Sequence, residues 1–254
     1  MVTTEPFYGL PRSQASKDCE TDTASARFAL LLRHAATALR DPTRADSVAA
    51  VGELTGTLAL QRMHQAMKGD PVGRQILKDR PIVSKASIPY ERLIDEAKTA
   101  DLSADTVTFG QAYGIFLKTH DFDPDGRDKV RYVEDEELAY VMLRYRQCHD
   151  FWHALTQLPP TVVGELGLKW LELFQTGLPL AAFASTVGSF QLSQQEQQIL
   201  WIHYLPWAKR IGRQLPYCAL MNVYYETEWD TPLNKLRKRL HIEQAPEIPS
   251  VDQN

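Results

Sequence analysis

The residues with the most chemical content stand together in Tyr145-Arg146-Gln147-Cys148-His149-Asp150-Phe151-Trp152-His153. On an α-helix each residue advances about 100°, so His149 and His153 stack one turn apart on one face, with Asp150 beside them. Two imidazoles four residues apart can hold one divalent ion, and an acid directly after the first can join as a third ligand. Pro159-Pro160 then breaks the helix. A chain returning antiparallel carries Glu165 on its first turns, back toward the same place, and Gly164 and Gly167 leave room for the two helices to approach. Two nitrogens with two or more carboxylate oxygens suit zinc, manganese or ferrous iron, and do not choose among them. The same string also arises on an ordinary helix surface or as a satisfied core pair, and spacing alone leaves both readings open.

Other chemistry-bearing groups weigh less. Asp121, Asp123, Asp125 and Gly126 match the first half of a calcium loop, but the twelfth position is Tyr132, where calcium needs a bidentate glutamate. A solvated Asp-rich turn is the expectation. His-Asp occurs twice, at His120-Asp121 and His149-Asp150, as in HD-type phosphohydrolases; their further histidine would have to be His34 or His64, and nothing beside either fits. Cys19, Cys148 and Cys218 are odd in number and scattered, which gives no disulfide framework and no thiolate zinc motif, and suits a reducing compartment. Trp152, Trp170, Trp201, Trp207 and Trp229 are expected mostly in the core, although an apolar helical pair around a metal would also suit a long lipid tail.

The elements that must position these groups read as helices. Apolar residues at helical spacing mark a helix from Ser25 to about Leu39, a second from Ala45 to Met67 and a third after Asp70-Pro71 to Leu77. Gly52 and Gly56 in the second would let another backbone come close. A short helix around Tyr90 to Ala97 and one from Thr106 to Lys118 precede the metal helix, predicted from about Asp135 to Leu158. Thr161 caps its successor, which reaches Gly177-Leu178-Pro179. Helices from Ser193 to Arg213 and Pro232 to Leu240 complete the chain. Period-2 alternation is rare, so the fold class is all-α: a single-domain helical bundle or orthogonal array with the metal site between two antiparallel helices. A polar arm over residues 1–24, a helical domain over 25–242 and a tail over 243–254 are the expected divisions.

Composition sets the remaining bounds. The chain has 254 residues, 44% hydrophobic and 24% charged, which is globular and sufficient for one sizeable core. A formal charge of −4 offers no overall basic field for phosphates, so nucleic acid is not an expected partner. Lys235, Arg237, Lys238 and Arg239 form a local basic cluster, read first as the solvated face of a last helix. No stretch reaches the roughly 20 apolar residues of a membrane span; the nearest, Leu178 to Phe190, is short and interrupted. The start shows neither a secretory signal nor a clear transit helix, so either none exists or it lies upstream.

The segment His149-Asp150, His153, eleven residues, Glu165 resembles the H-D-x-x-H-x11-E signature of the ubiquinone (coenzyme Q) biosynthesis protein 4 family. Val51-Gly-Glu-Leu-Thr-Gly56, Asp70-Pro-Val-Gly73, Asp135-Glu-Glu-Leu-Ala-Tyr140, Lys169-Trp170, Gln175-Thr-Gly-Leu-Pro179 and Asn222-Val-Tyr-Tyr-Glu226 fall in family order, over roughly residues 6 to 242. The resemblance implies a helical, self-associating protein, a homodimer or higher, peripherally attached to the matrix side of the inner mitochondrial membrane. It implies a divalent metal on His149, Asp150, His153 and Glu165, zinc foremost, with manganese or iron as alternatives. The implied activity is that of a lyase: oxidative decarboxylation of a polyprenylated hydroxybenzoate, with the carboxyl at ring carbon one replaced by hydroxyl. The implied partners are the other ubiquinone biosynthesis enzymes and a membrane surface, which the basic cluster would meet. A non-catalytic prenyl-lipid-binding scaffold that organises those enzymes is the alternative the resemblance leaves standing.

Overall fold

The computed structural model of the protein describes residues 24–40, 45–126, 129–179, 181 and 192–248. Residues 1–23 of the arm expected over 1–24, and most of the stretch from Leu178 to Phe190, fall outside them, and Ala24 already belongs to the first helix. In chain order the helices are α1 (Ala24–Arg40), α2 (Ala45–Thr55), α3 (Thr57–Gly69), α4 (Pro71–Asp79), α5 (Tyr90–Glu96), α6 (Phe109–His120), α7 (Glu136–Thr156), α8 (Val162–Thr176), α9 (Gln194–Gln198), α10 (Leu205–Gln214) and α11 (Leu233–Leu240). Among the described residues no strand forms, and a single antiparallel bridge joins Thr108 to Pro232. The all-α expectation holds.

Helix starts follow from side chains that take up orphan backbone N–H groups. Asp70 accepts from the amides of Val72 and Gly73 at 2.8 and 2.9 Å, with Pro71 in the first turn where no N–H is needed. Thr108 and Gln111 form a reciprocal capping box on α6. Thr161 caps α8 as read from the sequence, and Asp135, expected only as the start of its helix, caps α7.

Two predicted helices differ in detail. The single helix from Ala45 to Met67 is interrupted at Gly56, which separates α2 from α3. A Cβ there would lie 2.6 Å from the Gly52 carbonyl and 3.2 Å from the Leu178 side chain, so the glycines admit close packing at a break rather than within one helix. The helix starting at Ser193 contains a π-helical stretch, Ile199–Tyr204, directly before Pro206. Proline has no N–H to give, and its ring would meet the carbonyl four residues back; the wider turn opens that space.

Helix α7 is the structural axis. Nearly every residue from Leu138 to Thr156 is buried, so its polar groups must find partners inside. Arg144 pairs with Glu226 and donates to the Val223 carbonyl at 3.1 Å. Gln147 donates to the Val83 carbonyl, and the Trp152 indole N–H donates to the Tyr225 hydroxyl. Phe151 meets Phe109, Tyr113, Tyr225 and Trp229 in an aromatic cluster against α6. Helix α8 lies across α10 and the π stretch. The segment after α11 stays on the core: the Ala245 amide donates to the Thr156 carbonyl at 2.8 Å, and the Trp207 indole donates to the Glu243 carbonyl.

Candidate metal centre

Helices α7 and α8 face each other in opposite directions: Glu165 meets His153 and His149, whereas Glu172, further along α8, meets His149 and Tyr145. The glycines do not act as expected. Gly164 packs against the Pro159 carbonyl of the connecting turn, and Gly167 against the Tyr204 ring, so neither opens a path between α7 and α8. Long side chains span that gap instead.

Three of the four predicted residues converge. His149 Nε2 and His153 Nε2 lie 3.2 Å apart, and the Glu165 carboxylate lies 3.3 Å from the first and 3.1 Å from the second. Asp150 is buried on the same helix, but the cluster whose ligand atoms all fall within 4.8 Å consists of His149, His153 and Glu165. The two histidines are buried, while the Glu165 side chain is 36% exposed, so the cluster is open on that side.

The outer ring atoms assign the tautomers. His153 Nδ1 lies 2.9 Å from the Leu158 carbonyl, which can only accept, so this nitrogen carries the proton. His149 Nδ1 lies 2.6 Å from the carboxylate of Glu172, which is fully buried. In neutral imidazoles both Nε2 atoms then present lone pairs, and Glu165 adds a third acceptor. Three acceptors this close need positive charge among them, supplied by a proton on an imidazole or by a metal ion. Metal bonds of about 2.0–2.2 Å give tetrahedral edges of about 3.3–3.6 Å and octahedral edges of about 2.8–3.1 Å; the observed triangle lies between, so the donor set and its spacing fit one divalent ion.

In the metal-free protein a proton on the imidazoles supplies that charge. Burial alone would raise the Glu165 carboxyl, but hydrogen bonds from His149 and His153 hold it far below the ordinary carboxylate range. Glu172 is likewise lowered to about 2 against its burial, because Lys169 and His149 both favour its charged form. Lys169 Nζ lies 2.7 Å from Glu172, and the Tyr145 hydroxyl donates to the same carboxylate. Phe116 of α6 stacks on the His153 ring at 5.1 Å and 14°. Sequence reasoning missed Glu172, Lys169 and Tyr145. The signal was present in their spacing, since Lys169 and Glu172 follow Glu165 by four and seven positions and Tyr145 precedes His149 by four.

The other candidates lie elsewhere or are satisfied. The Asp-rich turn already holds a cation: Lys85 Nζ lies 2.7 Å from Asp123, and the Lys85 amide donates to Asp125. His34 contacts Ser47, and His64 pairs with Glu137. Trp152, Trp207 and Trp229 are buried as expected, whereas Trp201 is 44% exposed. In the basic cluster Arg237 turns inward and Arg239 pairs with Glu228, leaving Lys235 and Lys238 as its exposed lysines. No described helix is long and apolar enough to cross a membrane.

Residues 19–246 match the family described as coenzyme Q (ubiquinone) biosynthesis protein Coq4. The mitochondrial ubiquinone biosynthesis protein COQ4 homolog of Bos taurus is 42% identical over 209 residues, 82% of this chain and 75% of that protein. The mitochondrial coq4 protein of Aspergillus niger is 42% identical over 228 residues, 89% and 74% of the two chains. The Nematostella vectensis homolog is 40% identical and covered over 97% of its length by 82% of this chain. A crystal structure of a provisionally assigned ubiquinone biosynthesis protein from Nostoc punctiforme superposes with a TM-score of 0.60 at 18% identity, covering 84% of this chain and 95% of the other, which is a likeness of fold.

Proposed function

The chain belongs to the Coq4 family and shares its role in ubiquinone biosynthesis, and within that role we propose that it is a metal-dependent enzyme acting on a polyprenylated hydroxybenzoate. The reaction exchanges the carboxyl at ring carbon one for a hydroxyl. The observation that carries this reading is the convergence of His149 Nε2, His153 Nε2 and the Glu165 carboxylate on one point, on a side where Glu165 meets solvent. Three protein ligands with room for more is the arrangement of catalytic rather than structural sites. Asp150, outside that cluster as it stands, would be a further ligand by its place in the motif.

The net change balances as loss of CO₂ with water supplying the hydroxyl oxygen, while the two electrons and two protons released pass to molecular oxygen and leave as hydrogen peroxide. That oxidation favours iron or manganese over zinc, and two histidines with one carboxylate accept any of the three. When bound, the metal supplies an open position for a substrate oxygen and stabilises negative charge there. The chain's own residues do the rest. His149 and His153 present Nε2 with their Nδ1 protons held outward, Glu165 is ionised and ready to ligate, and Phe116 covers one face of His153 against water.

The setting we propose is peripheral, on the matrix side of the inner mitochondrial membrane, as a homodimer or larger species among the other ubiquinone biosynthesis enzymes. Relatives named as mitochondrial, and the lack of a membrane-crossing helix among the described residues, support it. The test is product formation from a short-tailed prenyl hydroxybenzoate, comparing wild type with His149→Ala after anaerobic metal loading and admission of O₂. Carboxyl loss with ring hydroxylation in wild type alone supports the enzyme. Full metal loading and prenyl-lipid binding with no product from any of the three metals would replace it with the scaffold reading.

A further inference from the structure

The two histidines of the cluster are held from behind in different ways. His153 donates to a main-chain carbonyl, that of Leu158. His149 instead faces a carboxylate, Glu172, whose side chain is wholly buried. A buried carboxylate is costly unless its charge and its oxygens are satisfied. Here they are: Lys169 Nζ and the Tyr145 hydroxyl donate to Oε2, and the His149 ring occupies Oε1. Core packing does not call for such an arrangement. An apolar residue at 172 would fill the space without a counter-ion on α8 or a hydroxyl on α7. The expense makes sense if the carboxylate acts on the ring in front of it.

We propose that Glu172 is a positioning residue for the metal, with Lys169 and Tyr145 as the donors that keep it ionised and fixed. The inference rests on the metal-centre reading above. By accepting the Nδ1 proton, Glu172 fixes His149 in the tautomer that offers Nε2 to the centre and sets the ring plane. It also makes that nitrogen a stronger donor than His153, whose partner is a neutral amide carbonyl. The Lys169 charge balances Glu172, so the pair behind His149 is neutral as a unit and adds no net charge to the ligand set. Glu172 itself lies behind the ring and touches neither the ligand atoms of His153 nor Glu165 in this arrangement, so its influence passes through one imidazole.

The test is metal affinity, read by competition of the metal-free full chain with a chelator of known strength, using zinc and manganese(II) alone as probes. Glu172→Gln keeps the shape but removes the charge, and the expected result is an affinity about 10- to 100-fold weaker, the usual effect of losing such a partner. A second readout is the ¹⁵N signature of the His149 ring in the zinc-loaded protein. Wild type should show a single Nδ1-protonated tautomer, and the variant a weakened hydrogen bond there. A merely structural role would lower the melting temperature while leaving the affinity of the folded fraction unchanged. Should Glu172→Gln fail to fold because Lys169 is left unpaired, the double variant Glu172→Gln/Lys169→Met removes both charges together, and the same loss of affinity is expected. Wild-type affinity in a folded variant overturns the positioning role. Failure of wild type itself to bind either ion would instead overturn the metal-centre reading, so the two failures are distinguishable.

Discussion

Arg237 Nε donates to the carbonyl oxygen of Leu155 across 2.7 Å. Helix α11, the last among the described residues, thereby closes the C-terminal end of α7, where backbone carbonyls run out of helical partners. Burial lowers the Arg237 guanidinium to about 10, which still leaves it charged at neutral pH. A residue that reads in the sequence as part of a solvated basic face is a cap for the helix that carries both histidines.

Replacing Arg237 by Leu should therefore lower stability by about 1.5–3 kcal/mol, the range for a hydrogen bond from a charged donor. Urea unfolding followed by circular dichroism would show an earlier midpoint with an unchanged slope. A midpoint equal to wild type would mean that water caps α7 as well as Arg237 does.

Metal binding should strengthen as pH rises and then level off. Burial and Lys169 oppose a proton on His149, but Glu172 and Glu165 outweigh them and raise its pKa above the ordinary histidine value. The ring must shed that proton to ligate, so affinity climbs until pH passes the raised pKa and is flat beyond it. Glu165, already ionised far below this window, adds no slope. For the metal-free protein the sign reverses. The raised pKa contributes stability that is full below about pH 6.5 and is lost as pH rises through the folded-state value. Calorimetry in two buffers of different ionisation enthalpy would count the released proton; no release near neutral pH would contradict the assignment.

Gly164→Ala should loosen the metal site without touching a ligand. Its Cβ would fall 2.0 Å from the Pro159 carbonyl, so the first turn of α8, which carries Glu165, must shift. A loss of about 1–3 kcal/mol in stability is expected from the overpacking, together with weaker zinc binding by chelator competition. Full affinity in a folded variant would show that the turn absorbs the methyl group without moving Glu165.

The ion pair of Arg144 and Glu226 should be far costlier to halve than to remove. Arg144 has a side chain with no exposure, so Arg144→Met strands Glu226 and is expected to cost about 3–5 kcal/mol. The double variant Arg144→Met/Glu226→Gln should recover part of that loss. Thermal melts of the single and double variants at one pH decide it, and equal losses would indicate that the pair is not energetically coupled.

Cys148 and Cys218 should be silent toward thiol reagents. Burial pushes both thiols up to about 12 and leaves neither side chain exposed. At pH 8 mass spectrometry of the native protein should find both unmodified, with labelling only after denaturation. Native modification at either position would reveal local opening around α7 or around the turn before Ala219.

Much of this was legible in the sequence because it depends on local rules. Asp70-Pro71 and Thr161 mark their helix starts outright, and the expected starts at Thr106, Asp135 and Ser193 fall within two residues of the caps Thr108, Asp135 and Ser193, because caps act within three residues. The convergence of His149 and His153 with Glu165 follows from helical spacing and one proline break. What escaped depends on distance in the chain. Nothing near Arg237 says that its partner is Leu155, and nothing near Lys85 says that it fills the Asp123–Asp125 turn. The π stretch before Pro206 is a compromise between a missing N–H and continuous packing on α8, which periodicity alone does not register. Asp150 shows the opposite limit: spacing puts it beside the histidines, while the cluster that forms does not include it.

The carbonyl that orients His153 belongs to the main chain at Leu158. Every amino acid that could replace leucine there brings the same oxygen, so no exchange of one side chain for another deletes this contact. His149 is held by a side chain and has no such protection. Heritable change that retunes the centre therefore has a short route through one histidine, whereas the other is reached only by rebuilding the Pro159-Pro160 corner. Half of the site is open to drift, and half is insulated from it by being made of backbone.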